Sequence, residues 1–314
     1  MAEDARRAFL TELIDDAGLF PPASLSMEDA AAGHEASRTG PHAWMLARFI
    51  CVASRLPELL KVLPDAAPPW RVSVILDATG PEPWLERMTA DVAAAGEFAE
   101  EAGPRAVVEL VETVLPADVD TSELRRFVER VEEARLPRPV MPFFEIPPAT
   151  LPDDLTTVAE VRRETAPGGA CLPAGAKLRC GGARAELFPA PDAVAATIDA
   201  CRRLDVPLKA TAGLHHPFRH RDEPTGFVQH GFVNLVGASV LSHARALPVD
   251  RLVDIVEEQD PSAFSLTPER FAWRDLEAPA ADIAAARAAS LVGYGSCSFD
   301  EPVEDLLALG VLPA

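Results

Sequence analysis

The chain has 314 residues, of which 48% are hydrophobic and 25% charged, and its formal net charge is −20. This composition supports a large buried core and differs from that of disordered chains. The negative charge argues against nucleic acid and anionic membranes as partners, because both require a basic surface. The length fits two ordinary domains or one α/β barrel.

The cysteines and the amino terminus predict a reducing compartment. The five cysteines are scattered, odd in number and without a CxxC pair, which argues against a disulfide framework or a four-cysteine zinc site. The opening residues, MAEDARRAFL, lack the apolar stretch of a signal peptide. The longest apolar-looking segment, GFVNLVGASVL, is too short to span a bilayer. We therefore expect a soluble, cytoplasmic protein.

Short apolar runs alternate with longer amphipathic segments along the chain. In order, the seven runs are ELIDDAGLFPP, WMLARFICVAS, WRVSVILDATG, RAVVELVETVL, RPVMPFFEIPP, GAKLRCGG and VPLKATAGLHH. Helix-like stretches lie between them, for example at 82–103, 120–135, 154–166 and 191–204. Apolar strands that alternate with helices indicate a parallel sheet covered on both faces. Seven runs at roughly regular spacing predict an α/β fold of the (β/α)8 TIM-barrel type.

The eighth strand has two candidate positions, SAFSLTPERFAW at 262–273 and SLVGYGSCSF at 290–299. An open doubly wound sheet is the alternative fold, but no GxGxxG motif follows the first strand. We find no internal repeat and no long linker. We expect a single (β/α)8-barrel domain over residues 1–314, with an elaborated segment around 214–280.

Acidic residues follow several of the predicted strands. In a barrel the active site lies at the carboxyl ends of the strands, where charged groups are costly unless they are paired or used. The third run ends on Asp77 and the fifth on Glu145. The fourth offers Glu109 or Glu112, and at most one of them points inward on a regular strand. We take Asp77, Glu112 and Glu145 as candidate acid/base groups.

Basic and polar residues near the same strand ends are candidate substrate ligands. Arg179, together with His215 or His216, is expected to hold a substrate anion, since an acidic protein that places cations there favours such a ligand. His230 and Asn234 share a helical face and either line the site or cap the barrel. The complete set of substrate-binding candidates is Arg179, His215, His216, Arg48, Thr211, His230 and Asn234.

Lysine is rare in this chain. Only Lys61, Lys177 and Lys209 occur, against twenty-six arginines. Lysine differs from arginine because burial or a nearby cation can deprotonate it, which gives an amine nucleophile or base. Lys61 fits an exposed helix, whereas Lys177 and Lys209 lie on successive predicted strands. A buried ion pair with Asp77 or Glu145 is the structural alternative for these two lysines.

The segments KLRCGG and KATAG resemble the paired lysines of class I aldolases, especially the deoxyribose-phosphate aldolase type. The resemblance implies that Lys177, followed four residues later by Gly181, forms a Schiff base. It implies that Lys209, followed by Gly213, lowers the pKa of Lys177 and relays protons. The chain departs from that family in the histidines that follow Lys209 and in the carboxylate that ends the fifth run.

The acidic strand ends also resemble the enolase superfamily. That resemblance implies that Asp77, Glu112 and Glu145 bind Mg²⁺ or another divalent cation through oxygen ligands. A lysine would then remove a proton next to a substrate carboxylate. The chain has no room for the capping domain of that superfamily. Our first expectation is therefore an enzyme without a metal or other cofactor.

The histidines and the last cysteine leave further alternatives open. Five of the seven histidines fall between residues 215 and 243, where LHHPFRH could hold zinc or iron with a carboxylate. No HExxH or HxH pattern occurs. Cys297 lies in GYGSCSFDEPVEDLLALG without a base adjacent in sequence. We therefore expect this segment to cap a helix rather than to supply a nucleophile.

The sequence thus predicts a lyase of aldolase type, or an isomerase, that acts on a small anionic or carbonyl substrate. Metal-assisted enolisation is the alternative chemistry. A non-catalytic barrel scaffold is the alternative function, and its sign would be lysines fully paired with carboxylates and no pocket above them. The oligomeric state stays open, homo-oligomers included.

Overall fold

Eight parallel strands form a closed barrel in the computed structural model, which describes residues 4–65, 68–80, 82–116, 119–134, 136–147 and 150–312. The barrel strands are β1 (Ile14–Asp16), β2 (Leu46–Val52), β3 (Trp70–Ile75), β4 (Ala106–Val114), β5 (Met141–Glu145), β6 (Gly175–Arg179), β7 (Leu208–Thr211) and β13 (Leu291–Ser296). Each strand pairs with the next in this order, and β13 closes the barrel against β1. The predicted TIM-barrel fold is confirmed.

The helices of the described ranges are α1 (Ala5–Leu10), α2 (Met27–Thr39), α3 (Leu56–Val62), α4 (Trp84–Ala102), α5 (Thr121–Glu133), α6 (Leu151–Glu164), α7 (Pro191–Leu204), α8 (Phe232–Arg245), α9 (Val249–Glu257), α10 (Ala280–Ala289) and α11 (Asp300–Ala308). Helix α5 illustrates how the sequence determines where a helix begins and which face it buries. The side chain of Asp120 accepts a hydrogen bond from the Glu123 backbone at 2.9 Å and caps the helix. Leu124, Phe127 and Val131 recur every three or four residues and are buried.

The helices of the described residues include none with the length and apolar character needed to cross a membrane. The longest, α4, has 19 residues and includes several acidic side chains.

The segment between β7 and β13 carries additional structure. It contains a hairpin of β8 (His220–Arg221) and β9 (Val228–Gln229), followed by α8 and α9. A separate antiparallel sheet then forms from β10 (Phe264–Leu266), β11 (Arg270–Trp273) and β12 (Leu276–Pro279).

The eighth barrel strand lies in the second of its two candidate positions. Segment 262–273 instead contributes β10 and β11, which are outside the barrel. Burial alternates along β11, where Phe271 and Trp273 are buried and Arg270 and Ala272 are not, as on a sheet covered on one face. In β13, five of six residues are buried, as in a strand covered on both faces.

A glycine shapes the barrel interior beneath the lysines. A Cβ atom on Gly175, at the start of β6, would lie 2.4 Å from Cε1 of Phe143 on the neighbouring strand. Phe143 is buried and occupies the space that a side chain at position 175 would take. The glycine that opens GAKLRCGG therefore allows an aromatic ring to fill the interior two residues before Lys177.

Candidate active site

The two buried lysines lie side by side on adjacent strands. Lys177 of β6 is in register with Lys209 of β7. Glu112 of β4 lies between the two amines, because its Oε2 is 2.8 Å from Nζ of Lys177 and its Oε1 contacts Nζ of Lys209. The sequence predicted the two lysines and Glu112 as site residues, and the fold brings all three together.

Further charges extend this contact in both directions. Oε2 of Glu145 on β5 is 3.2 Å from Nζ of Lys177, and its Oε1 is 2.7 Å from Nε of Arg179. On the other side, Oδ2 of Asp15 on β1 is 2.6 Å from Nζ of Lys209. The six side chains form a row of alternating charge that we call the ion-pair chain: Asp15, Lys209, Glu112, Lys177, Glu145 and Arg179.

Exposure rises along the ion-pair chain from the interior to the mouth of the barrel. The side chain of Lys209 is 1% exposed and that of Glu112 is fully buried. Lys177 is 6% exposed, Glu145 11% and Arg179 42%. Of the two amines, Lys177 is therefore the one nearer to solvent and to an incoming molecule.

The chain of charges is balanced, with three cations against three carboxylates. Burial acts to raise the pKa of Glu112, but the ammonium groups of Lys177 and Lys209 outweigh it and hold the pKa well below its usual range. Burial acts to lower the pKa of Lys177, but Glu112 and Glu145 outweigh it, and the pKa is raised. Both groups are ionised at neutral pH.

The raised pKa of Lys177 is opposite to the expectation that Lys209 lowers it. The reason is the position of Glu112. A carboxylate that contacts both amines replaces the repulsion between two cations with two attractions. Lys177 is thus an ammonium group before any substrate is bound.

Small and hydroxyl-bearing residues complete the site. Ser73 of β3 donates a hydrogen bond to Oε1 of Glu112. The glycines after the two lysine strands allow close packing at the mouth, because a Cβ on Gly181 would lie 2.8 Å from the Cα of Gly213. Gly213 also has a φ of +68°, which favours glycine. Thr211 ends β7 in register with Arg179 and lies at the same rim, as predicted from the sequence.

Asp77 does not join the lysines. It follows β3, but its carboxylate accepts hydrogen bonds from the backbone N–H of Ser54 at 3.1 Å and from the Ser54 hydroxyl at 2.7 Å. It therefore fastens the 3₁₀ turn Ala53–Arg55 after β2. The predicted acid/base role of Asp77 is not supported by these contacts.

The alternative metal site of Asp77, Glu112 and Glu145 is not assembled either. Glu112 and Glu145 hold ammonium groups, and Asp77 holds a turn. Among the described residues, no three His, Cys, Asp or Glu side chains are grouped in a way that fits a metal ion. His215 and His216 of LHHPFRH likewise contact other side chains, as described below.

Replacing Asp77 with alanine is expected to lower the free energy of unfolding by about 1 kcal/mol, because two donors of the Ser54 turn lose their acceptor at a partly exposed position. Urea denaturation measures this change. Asp77→Asn is the matched control, since the amide keeps one oxygen acceptor and should lose less. Equal stability of Asp77→Ala and wild type would contradict the structural role.

Arg48 lies near the amino end of β2, away from the rim where the sequence placed it. Its Nε is 2.9 Å from Oε2 of Glu109, and Arg71 holds the other oxygen of Glu109 at 2.8 Å. Its backbone N–H donates to Oδ1 of Asp15 at 2.9 Å. With Arg287, it lines a cavity of about 350 Å³ that is separate from the lysine amines. Arg48 is therefore a support beneath the site rather than a substrate ligand.

A bulge explains why both Glu109 and Glu112 are used. The pairing of β3 with β4 runs from Val72 opposite Val108 to Ser73 opposite Leu110, so Glu109 has no partner in the ladder. The expectation that at most one of the two glutamates serves the interior assumed a regular strand. The bulge places Glu109 among arginines and Glu112 between the lysines.

His230 and Asn234 hold the segment that follows β7. Nδ1 of His230 accepts a hydrogen bond from Arg219 at 3.0 Å, and its Nε2–H donates to the carbonyl of Pro189 at 2.7 Å. Burial lowers the pKa of His230 to about 4. Asn234 accepts from the backbone of Arg219 and donates to two carbonyl groups at the end of α9. Of the two roles predicted for this pair, the contacts support the capping role.

His215 and His216 lie in the loop after β7 and contact α11. Nδ1 of His215 is 2.9 Å from Oε2 of Glu301, and Nδ1 of His216 is 2.7 Å from Oδ2 of Asp305. The ring of His215 also lies 3.8 Å from the sulfur of Cys297. The sequence placed these histidines near the mouth but did not identify their carboxylate partners or the contact with Cys297.

Asp15 is the main site residue that the sequence left unassigned. The first apolar run offered two aspartates in succession, and the structure separates them. Asp15 points to Lys209, whereas Asp16 accepts from the Gly18 backbone and contacts the buried His34 at 3.0 Å. Alternation along a strand could have indicated opposite faces but not which face is interior.

No protein-family model and no curated protein sequence matches this chain.

Proposed function

We propose that the chain is a barrel enzyme that acts on a small carbonyl or carboxylate metabolite through a Schiff base on Lys177. The reaction would be carbon–carbon bond cleavage or formation, or an isomerisation. The observation that carries the proposal is the position of Glu112 between two lysines of adjacent strands, with Lys177 nearer to the mouth.

The ion-pair chain provides a path for the proton that Lys177 must lose. Its ammonium group contacts Glu145, which is the more exposed of its two carboxylate partners and takes the proton when a carbonyl group enters. The free amine then attacks the carbonyl carbon and forms a carbinolamine. Glu145 passes the proton that it took from Lys177 to the hydroxyl group of the carbinolamine, which leaves as water and gives an iminium ion. Because the iminium keeps the positive charge of the ammonium, the attraction to Glu112 is preserved.

The same ions serve the next step. Electrons from a cleaving carbon–carbon bond, or from a carbon that loses its proton, move into the iminium and form an enamine. Lys209 takes no part in this step and keeps its contacts with Glu112 and Asp15. Glu145 is in position to take the proton that the substrate loses and to return it to the enamine carbon, since it contacts both Lys177 and Arg179.

Arg179 favours a substrate that carries an anionic group. It is the most exposed member of the ion-pair chain. Among the described residues, its side chain donates a hydrogen bond to Glu145 through Nε. The remaining N–H groups of the guanidinium suit a carboxylate or phosphate oxygen. Val114, which is 54% exposed at the end of β4, adds an apolar surface at the same mouth.

A non-catalytic barrel is the second candidate, and one observation favours it. Lys177 and Lys209 each contact two carboxylates, which is the first of the two features expected of a scaffold. The second feature is a closed mouth above the lysines, and the exposure of Arg179 and Val114 argues against it. The reactivity of Lys177 separates the two functions.

Borohydride trapping tests the proposal. The protein is incubated with small aldehydes, ketones and 2-oxo acids, reduced, and examined by intact mass and peptide mapping. With only three lysines in the chain, each adduct can be assigned. We expect an adduct on Lys177 that disappears in Lys177→Arg and persists in Lys61→Arg, the matched control at an exposed helix position.

Two outcomes would contradict the Schiff base. One is labelling confined to Lys61, which is exposed on α3, or to the terminal amine, since neither group belongs to the ion-pair chain. The other is the absence of any adduct on Lys177 across the panel, which would favour the scaffold. The Lys209→Arg variant should keep the adduct, because a guanidinium at this position preserves the positive charge beside Glu112.

A further inference from the structure

A second group of reactive side chains lies at the carboxyl ends of β7 and β13. Cys297 follows β13 and is partly exposed. Its sulfur lies 3.8 Å from Nε2 and 3.9 Å from Nδ1 of His215. Nδ1 of His215 is 2.9 Å from Oε2 of Glu301, in the first turn of α11. The imidazole of His215 thus contacts both the thiol of Cys297 and the carboxylate of Glu301.

This arrangement suits the activation of a thiol. An imidazole beside a cysteine takes the thiol proton, and a carboxylate on the ring orients the imidazole and stabilises its charged form. Contact with Cys297, opposed by burial and reinforced by Glu301, raises the pKa of His215 to about 9. The raised pKa makes the ring of His215 a stronger acceptor for the thiol proton of Cys297.

The other cysteines are unsuited to this chemistry. Cys51, Cys171, Cys180 and Cys201 are buried, and burial raises the pKa of each thiol to about 12. A reagent in solution therefore meets one accessible thiol, and that thiol is the one beside an imidazole. The contrast within a single chain provides an internal comparison.

We propose that Cys297, His215 and Glu301 form an activated-thiol site that reacts covalently with small, uncharged, soft electrophiles. The carboxylates of Glu301 and Asp305 lie beside the histidines of this loop and disfavour an anionic reagent, so an uncharged electrophile is the suitable class. The site does not use the amine of Lys177 and stands independently of the proposed Schiff base.

The covalent step can be written for iodoacetamide as the probe. The thiol proton of Cys297 moves to the imidazole of His215. The sulfur then attacks the methylene carbon, the carbon–iodine bond breaks, and iodide leaves with the bonding electron pair. The product is a thioether, and the proton stays on His215 until solvent removes it. The reaction needs no oxidant or reductant.

Alkylation of the native protein at neutral pH tests the site. Intact mass and peptide mapping follow the rate and the position of the first adduct in wild type, His215→Gln, Glu301→Gln and Cys297→Ser. We expect a single adduct on Cys297 that forms at least about tenfold faster in wild type than in His215→Gln. Glu301→Gln should be intermediate, and Cys297→Ser should give no fast adduct.

His216→Gln is the matched control, because His216 is adjacent and pairs with a carboxylate of the same helix but has no recorded contact with Cys297 among the described residues. It should react like wild type. Equal rates in wild type and His215→Gln, or a first adduct on another cysteine of the wild type, would overturn the proposal. If His215→Gln unfolds, it takes up several labels at once, and the single-label rate of Glu301→Gln then decides.

Discussion

Replacing Glu112 with glutamine is expected to lower the free energy of unfolding by about 3 kcal/mol, the low end of the range for removing one partner of a buried ion pair. The carboxylate is fully buried and contacts two ammonium groups, so its neutralisation leaves two buried cations with less compensation. The loss stays at the low end because Lys177 keeps Glu145 and Lys209 keeps Asp15. Urea denaturation measures the change.

Two further variants make this expectation specific. Glu164→Gln removes a carboxylate from an exposed pair with Arg125 and should leave the stability unchanged, because solvent screens such pairs. The double variant Glu112→Gln/Lys177→Met removes one buried charge of each sign and should recover part of the loss. A Glu112→Gln protein as stable as Glu164→Gln would show that the buried ion pairs are energetically unimportant.

Acid is expected to destabilise the wild type more steeply than the Glu112→Gln variant. The pKa of Glu112 is held below the usual value of 4.5, so its stabilisation is complete above that pH and is lost as the pH falls below it. The pKa of Lys177 is raised above 10.5, so its contribution is complete below that pH and is lost at higher pH. Between these limits neither group makes the stability depend on pH.

Free energies of unfolding measured between about pH 4.5 and pH 3 should therefore converge for the two proteins, by up to about 1.4 kcal/mol per pH unit. Glu164→Gln is again the comparison, and it should follow the wild-type slope closely because its carboxylate is solvent-exposed. Parallel curves for wild type and Glu112→Gln would indicate that Glu112 binds its proton at the same pH in the folded and unfolded chain.

The order of strands was predictable because it depends on patterns of length and hydrophobicity that are local. The eighth strand was not, because its sequence is rich in glycine, which weakens the pattern of a strand. The structure gives the reason for these glycines. A Cβ on Gly293 would lie 3.0 Å from the carbonyl oxygen of Leu13, and one on Gly295 would lie 3.0 Å from Cδ1 of Ile50. Both contacts arise only when the barrel closes.

The lysine cluster was predictable for a similar reason. Lys177 and Lys209 are on short strands whose alternation fixes their side, and adjacent parallel strands align their ends. Asp77 was misplaced because it lies two residues beyond the end of β3, where alternation no longer determines direction. The contact of Cys297 with His215 was missed because 82 positions separate them along the chain.

The ion-pair chain divides unequally between the two halves of the barrel. Two acids contact Lys209, and both of them, Asp15 and Glu112, lie on the first four strands. Lys177 and Lys209 both lie on the last four strands. A fragment that contained only one half would therefore leave buried charges without their partners. The halves are electrostatically complementary, and the charges of the ion-pair chain balance only when strands from both halves are present. The lysines thus tie assembly of the barrel to completion of the site.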